Sequence, residues 1–275
     1  MAETLLQGLL LGGLYCLFAL GLSLMFGVMR LTNTAQGDFI VLGAFAAIAA
    51  SSLLAIHPGL AAVLLLPVAF GVGYALQRYV LNGTLGRDPL PSLVVTFGLS
   101  IVVQNALLEV FTADPRSLDG GGLNTHSLQL GTFAVAVLCT LALQALFDRS
   151  ALGRAFRAVS DDREIAELMG LDANRVYALA TAIAFVVIAI AGVFQGLRTT
   201  VSPSDGPLLL LFAFEAVIIG GMGSFWGTFV GAMVLGITQQ IGFRIDPGWG
   251  IWLGHLMFLA VLVVRPQGLF PKTRG

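Results

Sequence analysis

Nine apolar runs, each closed by a short polar or Pro/Gly-rich break, divide almost the whole chain. They fall at about Leu5–Val28, Phe39–Ile56, Leu60–Leu76, Leu93–Phe111, Leu128–Phe147, Val176–Leu197, Leu208–Met222, Trp226–Ile241 and Ile251–Val264. A hydrocarbon layer of about 30 Å takes roughly 20 apolar residues as a helix. Backbone groups in lipid must be satisfied within the segment, and no barrel-like alternation is present, so the runs predict helices. The expected fold is all-α, a polytopic transmembrane bundle of about eight to ten spans over residues 1–275. The seventh and eighth runs are short, which predicts a broken or re-entrant pair.

Composition agrees with the pattern. The 275 residues are 57% hydrophobic and only 11% charged, with a mean hydropathy of +0.92, which excludes a soluble globular domain. Glu3 stands where a signal peptide would carry basic residues, so the first run reads as a spanning helix and not a cleaved leader. Cys16 and Cys139 each lie inside an apolar run, where a thiol behaves as a small hydrophobe and forms no disulfide or metal framework. A net charge of -1 gives no sign of a nucleic-acid partner.

If the spans alternate, Arg30, Arg78, Arg87, Arg149, Arg154, Arg157, Arg163, Arg175, Arg265, Lys272 and Arg274 share one side. Arg116, Arg198 and Arg244 take the other, an 11 to 3 division. The positive-inside rule then puts the N-terminus outside, the C-terminus in the cytoplasm, and an odd number of crossings between them.

One interruption is unlike the rest. Residues 148–175 hold 11 of the 29 formal charges, flanked by spanning runs on both sides. Asp161 and Glu164 stand three apart, as in a capping box, and Ile165, Leu168 and Met169 follow at the spacing of one helix face. Gly170 supplies a stop, and Asp172 can cap the next helix near Arg175. The segment predicts a short amphipathic cytoplasmic helix, with Arg157, Arg163, Glu164 and Glu167 on its polar rim. Its apolar stripe either rests on neighbouring helix ends and headgroups or docks into a groove on a cytosolic protein.

Three acids lie at or inside apolar runs: Asp38, Glu109 and Glu215. An ionisable residue at membrane depth costs at least about 2.5 kcal/mol, so it normally faces protein or water. Asn33, Thr34, Gln36 and Asp38 form a polar patch at the start of the second run, where Asp38 either caps a helix from about Phe39 or lines a cavity. Glu109 reads as interfacial, and Glu215 as a path residue or an interhelical polar contact. Gly223, Gly227 and Gly231 recur every four residues, which favours close helix packing. The turn from Gly220 and Gly221 to Ser224 could instead offer its backbone to a solute.

Four stretches, in order, carry a resemblance. Gly153-Arg154-Ala155-Phe156-Arg157-Ala158 with Ala166-Glu167-Leu168-Met169-Gly170-Leu171 is similar to a permease coupling loop. Asn33 to Phe39, Thr96-Phe97-Gly98-Leu99-Ser100 through Gln104-Asn105, and Ile219 to Ser224 match three further motifs. Together they resemble the LivH-like permease subunits of the branched-chain amino acid ABC importers, from about Leu5 to Phe270. The resemblance implies an importer permease that itself catalyses nothing and binds no cofactor. It would pair with a LivM-like second permease, two cytosolic ATPase subunits carrying ATP and Mg, and a periplasmic solute-binding protein, in the bacterial inner membrane. Its coupling residues would be Arg154, Arg157, Arg163, Glu164, Ile165, Glu167, Leu168, Met169 and Gly170. Its path candidates are Asn33, Thr34, Gln36, Asp38, Thr96, Glu215, Gly220, Gly221 and Ser224. Gln36 and Thr34 replace a His and an aromatic residue of the family motif, so the implied solute is a branched-chain amino acid or a related small amide or carboxylate.

No phosphate-binding G-x-x-x-x-G-K-[ST] loop occurs, so ATP hydrolysis would belong to partners. An intramembrane serine protease built on Ser224 and His255 is the weaker alternative, because the Gly-x-Ser-Gly setting is missing. A self-sufficient secondary transporter or channel is the stronger rival, but it has no use for a capped cytosolic amphipathic helix.

Overall fold

The computed structural model describes all residues except 87, 121, 123 and 271–275, so Arg87, Lys272 and Arg274 of the charge division lie outside the described residues. Among the described residues eleven α-helices follow one another: α1 Ala2–Met29, α2 Gln36–Leu54, α3 Pro58–Tyr79, α4 Leu90–Phe111, α5 Thr125–Arg149, α6 Ala151–Asp161, α7 Arg163–Leu168, α8 Ala173–Arg198, α9 Gly206–Gly220, α10 Phe225–Ile245 and α11 Trp249–Val264. Each of the nine apolar runs becomes a helix. Six (α1 to α5 and α8) are individually long and apolar enough to cross a bilayer. The short seventh and eighth runs form the expected broken pair, with α9 and α10 bent by 116°.

α1 and α8 are the central spans, with most of each buried inside the bundle. α1 packs most extensively on α10, α8 on α3 and α2. Glycines allow the closest approaches. A methyl at Gly12 would lie 2.8 Å from the Ala232 carbonyl oxygen, and one at Gly227 would meet the Gly220 carbonyl. The Gly227 and Gly231 stripe is therefore a packing surface on α9, while Gly223 belongs to the turn, with φ of 82°.

The basic residues separate by end. Arg244 donates to Thr4 near the start of α1, and Arg116 bridges Val201 at the same end as Arg198. At the other end Ser160 of α6 donates to the Gly27 carbonyl near the end of α1, and Arg78 lies 3.8 Å from Asp172.

The charged segment differs from expectation in two ways. It holds two helices, because α6 also forms. And α7 is capped by Asp162, whose Oδ1 accepts from Ile165 N at 3.0 Å, while Asp161 is the last residue of α6. Asp162 has the extended backbone an N-cap needs, which the helical Asp161 lacks. Gly170 at φ 88° and the Asp172 cap on Arg175 N at 3.0 Å take the expected positions.

Candidate functional site

The polar patch at Asn33–Asp38 is set deep by the way α1 ends. Arg30 closes α1 in a left-handed conformation, φ 52°, and donates its N–H to the Phe26 carbonyl. The chain then turns back into the bundle, with Leu31, Asn33 and Ala35 all but fully buried. Gln36 Nε2 donates to the Phe18 carbonyl at 2.6 Å. Phe18 precedes Met29 by 11 residues, about 16 Å along the helix. α2 therefore begins near the middle of the bundle, with irregular backbone tolerated at that depth because protein surrounds it.

Within this re-entry, Asn33 Oδ1 accepts from Ala35 N at 3.1 Å and closes a turn just before α2. Asp38 is not a cap, contrary to one expectation, because the helix has already started at Gln36 and Asp38 occupies its first turn. Its Oδ2 accepts from Ser100 of α4 at 2.5 Å, and Thr34 Oγ1 lies 2.8 Å from Thr96 Oγ1. Thr34 with Asp38, and Thr96 with Ser100, are each four residues apart, so two rungs join the re-entrant segment to α4. A methyl at Gly206 would overlap Asp38 Oδ1, and one at Gly37 would overlap the Gly206 carbonyl. The Asp38 carboxylate thus sits at the positive end of α9 as well as inside the first turn of α2. Asp38 Oδ1 and Gln36 Oε1 are buried with no protein partner. Ser100 was missing from the candidate path residues, although its i+4 spacing from Thr96 puts both on one face.

Glu215 is a second buried acid, and its partner was not foreseen. Glu215 Oε1 lies 2.5 Å from His255 Nδ1 of α11, and Phe212 stacks on the same imidazole at 6.4 Å. Beside it Tyr15 donates to Gln239 Oε1 at 2.6 Å, with its ring 4.8 Å from Phe212. Glu215 therefore ties α9 to α11.

Gly220, Gly221 and Ser224, the remaining path candidates, bond within the chain at the α9–α10 turn. Leu269 N and Phe270 N donate to the Ile219 and Gly220 carbonyls at 2.9 Å each, and Ser224 Oγ accepts from Gly227 N at 3.1 Å. Their backbone groups are engaged by the chain itself, at the end where Gly223 touches Gly27. Ser224 and His255 do not pair with each other: Ser224 caps α10 and His255 is bound to Glu215.

The α6–α7 elbow forms a separate surface. α6 is fixed by Phe156, fully buried against Phe147 with ring centroids 5.6 Å apart, and Phe147 in turn meets Phe225 edge-on at 5.0 Å. Arg157 donates to the Phe147 carbonyl, and Ser150 caps the helix at Gly153 N. α7 turns outward. Arg163 pairs with Glu167 at 2.9 Å and lies over the Tyr177 ring, while Arg154 and Glu164 are exposed. Ile165, Leu168 and Met169 are 58%, 88% and 79% exposed. A cleft of about 750 Å³ lies between the elbow and the end of α1, lined by Arg30, Ser160, Asp161, Arg163, Glu164 and Glu167 among others.

Residues 4–265 match the family described as branched-chain amino acid transport system / permease component. The chain belongs to that family. It is 30% identical to the high-affinity branched-chain amino acid transport system permease protein BraD of Pseudomonas aeruginosa, over 98% of this chain and 95% of that protein. It is 28% identical to LivH of Escherichia coli K12, the permease protein of the same kind of system, over the same shares. Its fold is shared with a chain of PsaBC from Streptococcus pneumoniae in complex with Fab, at a TM-score of 0.55 and 12% identity, covering 96% of this chain and 92% of that one. This permease is a multi-pass membrane protein, and the secondary-transporter alternative is not favoured.

Proposed function

We propose that this permease is one transmembrane subunit of an ATP-driven importer for branched-chain amino acids or a related small amide or carboxylate solute. It works in the bacterial inner membrane beside a LivM-like second permease. Two cytosolic ATPase subunits hold ATP and Mg and drive it, a periplasmic solute-binding protein delivers the solute, and this chain itself binds no cofactor and catalyses no reaction. The relatives' systems support the solute class. The α6–α7 elbow supports the mode of driving and is the single observation that carries the reading.

An apolar ridge of Ile165, Leu168 and Met169 is held out from the bundle on α7, directly after α6, whose Phe156 is locked into the core. Burying each ridge side chain is worth roughly 1.5 to 3 kcal/mol before the costs of association, so a groove on an ATPase is a fitting occupant. Arg154, Arg157, Arg163, Glu164 and Glu167 then form its rim, and Gly170 ends it. Because α6 bonds to the end of α1 through Ser160 and Gly27, a push on the elbow reaches α1 and the re-entrant segment that follows it.

The solute path lies where that segment meets α4 and α9: Asn33, Thr34, Gln36, Asp38 and Thr96, with Ser100 added. The unpartnered oxygens of Gln36 and Asp38 supply hydrogen-bond acceptors there. Glu215 serves as a positioning residue that fixes α9. A Leu168→Cys variant, in the assembled transporter, is expected to cross-link to an ATPase subunit. Cross-linking only to lipid-facing reagents, with the ATPases present, would remove this reading.

A further inference from the structure

α4 is the span least held by its own chain, and it carries a polar residue on the side turned away from the bundle. Its inner face is Ser92, Thr96, Ser100 and Leu107, bonded to or packed on the body. On the opposite face Val94, Phe97, Ile101 and Val102 are 68%, 60%, 46% and 63% exposed, and a methyl added at Gly98 would meet nothing within 4 Å. Asn105 lies on that exposed face, one turn beyond Ile101, and among the described residues its amide bonds only to the Ile101 carbonyl, through Nδ2 at 2.8 Å. It precedes Phe111 by six residues, about 9 Å in from the end of a helix about 33 Å long.

A primary amide at that depth is poorly accommodated by acyl chains, and in membranes Asn side chains bond across helix pairs. The other outward faces differ. From Leu60 to Val72 the exposed residues of α3 are apolar, as are those of α5 from Leu130 to Leu141 and of α11 from Ile251 to Val264. Those faces suit lipid, and α4 does not.

We propose that the exposed face of α4, centred on Gly98, Ile101 and Asn105, is the surface on which a spanning helix of the LivM-like second permease packs, with Asn105 hydrogen-bonded across the pair. This rests on the permease-pair reading above. Gly98 lets the two backbones approach, and Asn105 fixes the register of the contact. The two rungs on the inner face of α4 then link the subunit contact directly to Thr34 and Asp38.

The test uses the full transporter in membranes, with a photoreactive benzoylphenylalanine at Ile101 and, separately, at Val68 of α3 and Leu138 of α5. The expected result is a covalent adduct with the second permease from position 101 and lipid adducts from 68 and 138. Asn105→Leu should weaken pairing about three- to tenfold, and Asn105→Gln should restore most of it. An intact pair that cross-links from α3 or α5 but never from α4 would overturn the assignment. So would an adduct joining two copies of this chain, or an Asn105→Cys thiol that reacts freely with a water-borne reagent in the intact pair. If no second permease co-purifies with the unmodified chain, the permease-pair reading fails, and this one with it.

Discussion

The Asp38 carboxylate accepts the Ser100 hydroxyl at 2.5 Å while its other oxygen faces the first residue of α9 without a partner. One side chain therefore touches three helices, at the depth where α2 begins. Ser100→Ala would take from this buried carboxylate the hydrogen bond that α4 gives it. A hydrogen bond to a charged group contributes about 1.5 to 3 kcal/mol, so thermal unfolding of the solubilised transporter should show a loss of that order, and Ser100→Thr should recover it. An unchanged melting profile for Ser100→Ala would place the carboxylate's support elsewhere.

Glu215 and His255 allow a double-mutant cycle. Removing the imidazole alone, in His255→Ala, strands a buried acid and should destabilise by about 3 to 5 kcal/mol. Glu215→Gln with His255→Ala should cost distinctly less than the two single changes added together. Additive effects would mean that the pair is not coupled.

Glycines divide into two groups with opposite expectations. Gly220→Ala drives a methyl into the Gly227 carbonyl, where backbone cannot yield, so folded protein should fall to a small fraction of normal in size-exclusion profiles. Gly71→Ala, on the open face of α3, meets nothing within 4 Å and should be neutral or stabilise by about 0.5 to 1 kcal/mol. Equal tolerance of both would contradict the packing described for α9 and α10.

Phe156→Ala removes the anchor of α6 from a fully buried site against Phe147 of α5. Large-to-small changes of this kind cost about 3 to 5 kcal/mol in well-packed cores. The expected phenotype is a transporter that still assembles at low temperature but hydrolyses ATP without importing solute, measured on the same proteoliposomes. Normal coupling at reduced stability would show that the elbow does not need its base.

The helices were legible in the sequence because length and apolarity decide what can cross a bilayer. Even the broken α9–α10 pair showed, as two runs too short to span alone. α6 was missed because Leu152, Phe156 and Val159 are interleaved with Arg154 and Arg157, so that a short amphipathic period looked like part of a charged stretch. The cap was placed one residue early because Asp161 and Asp162 are adjacent and only backbone conformation separates them. The depth of Asn33–Asp38 was not readable at all. It depends on Arg30 reversing the chain and on Gln36 reaching Phe18, contacts that no local pattern encodes. The same holds for Glu215 and His255, 40 residues apart, whose meeting follows from the 116° bend between α9 and α10.

The central claim is that the ridge on α7 transmits ATP-driven motion from partner ATPases. It is tested most directly by Leu168→Asp in the complete transporter, reading solute uptake and ATP hydrolysis together in proteoliposomes that contain the solute-binding protein. Leu168 is 88% exposed, so the change should leave folding and membrane insertion intact. The account predicts normal amounts of this chain in the membrane, uptake reduced at least about tenfold, as loss of one buried side chain of roughly 1.5 to 3 kcal/mol implies, and hydrolysis no longer stimulated by loaded binding protein. Uptake and stimulated hydrolysis at unmodified levels would contradict it.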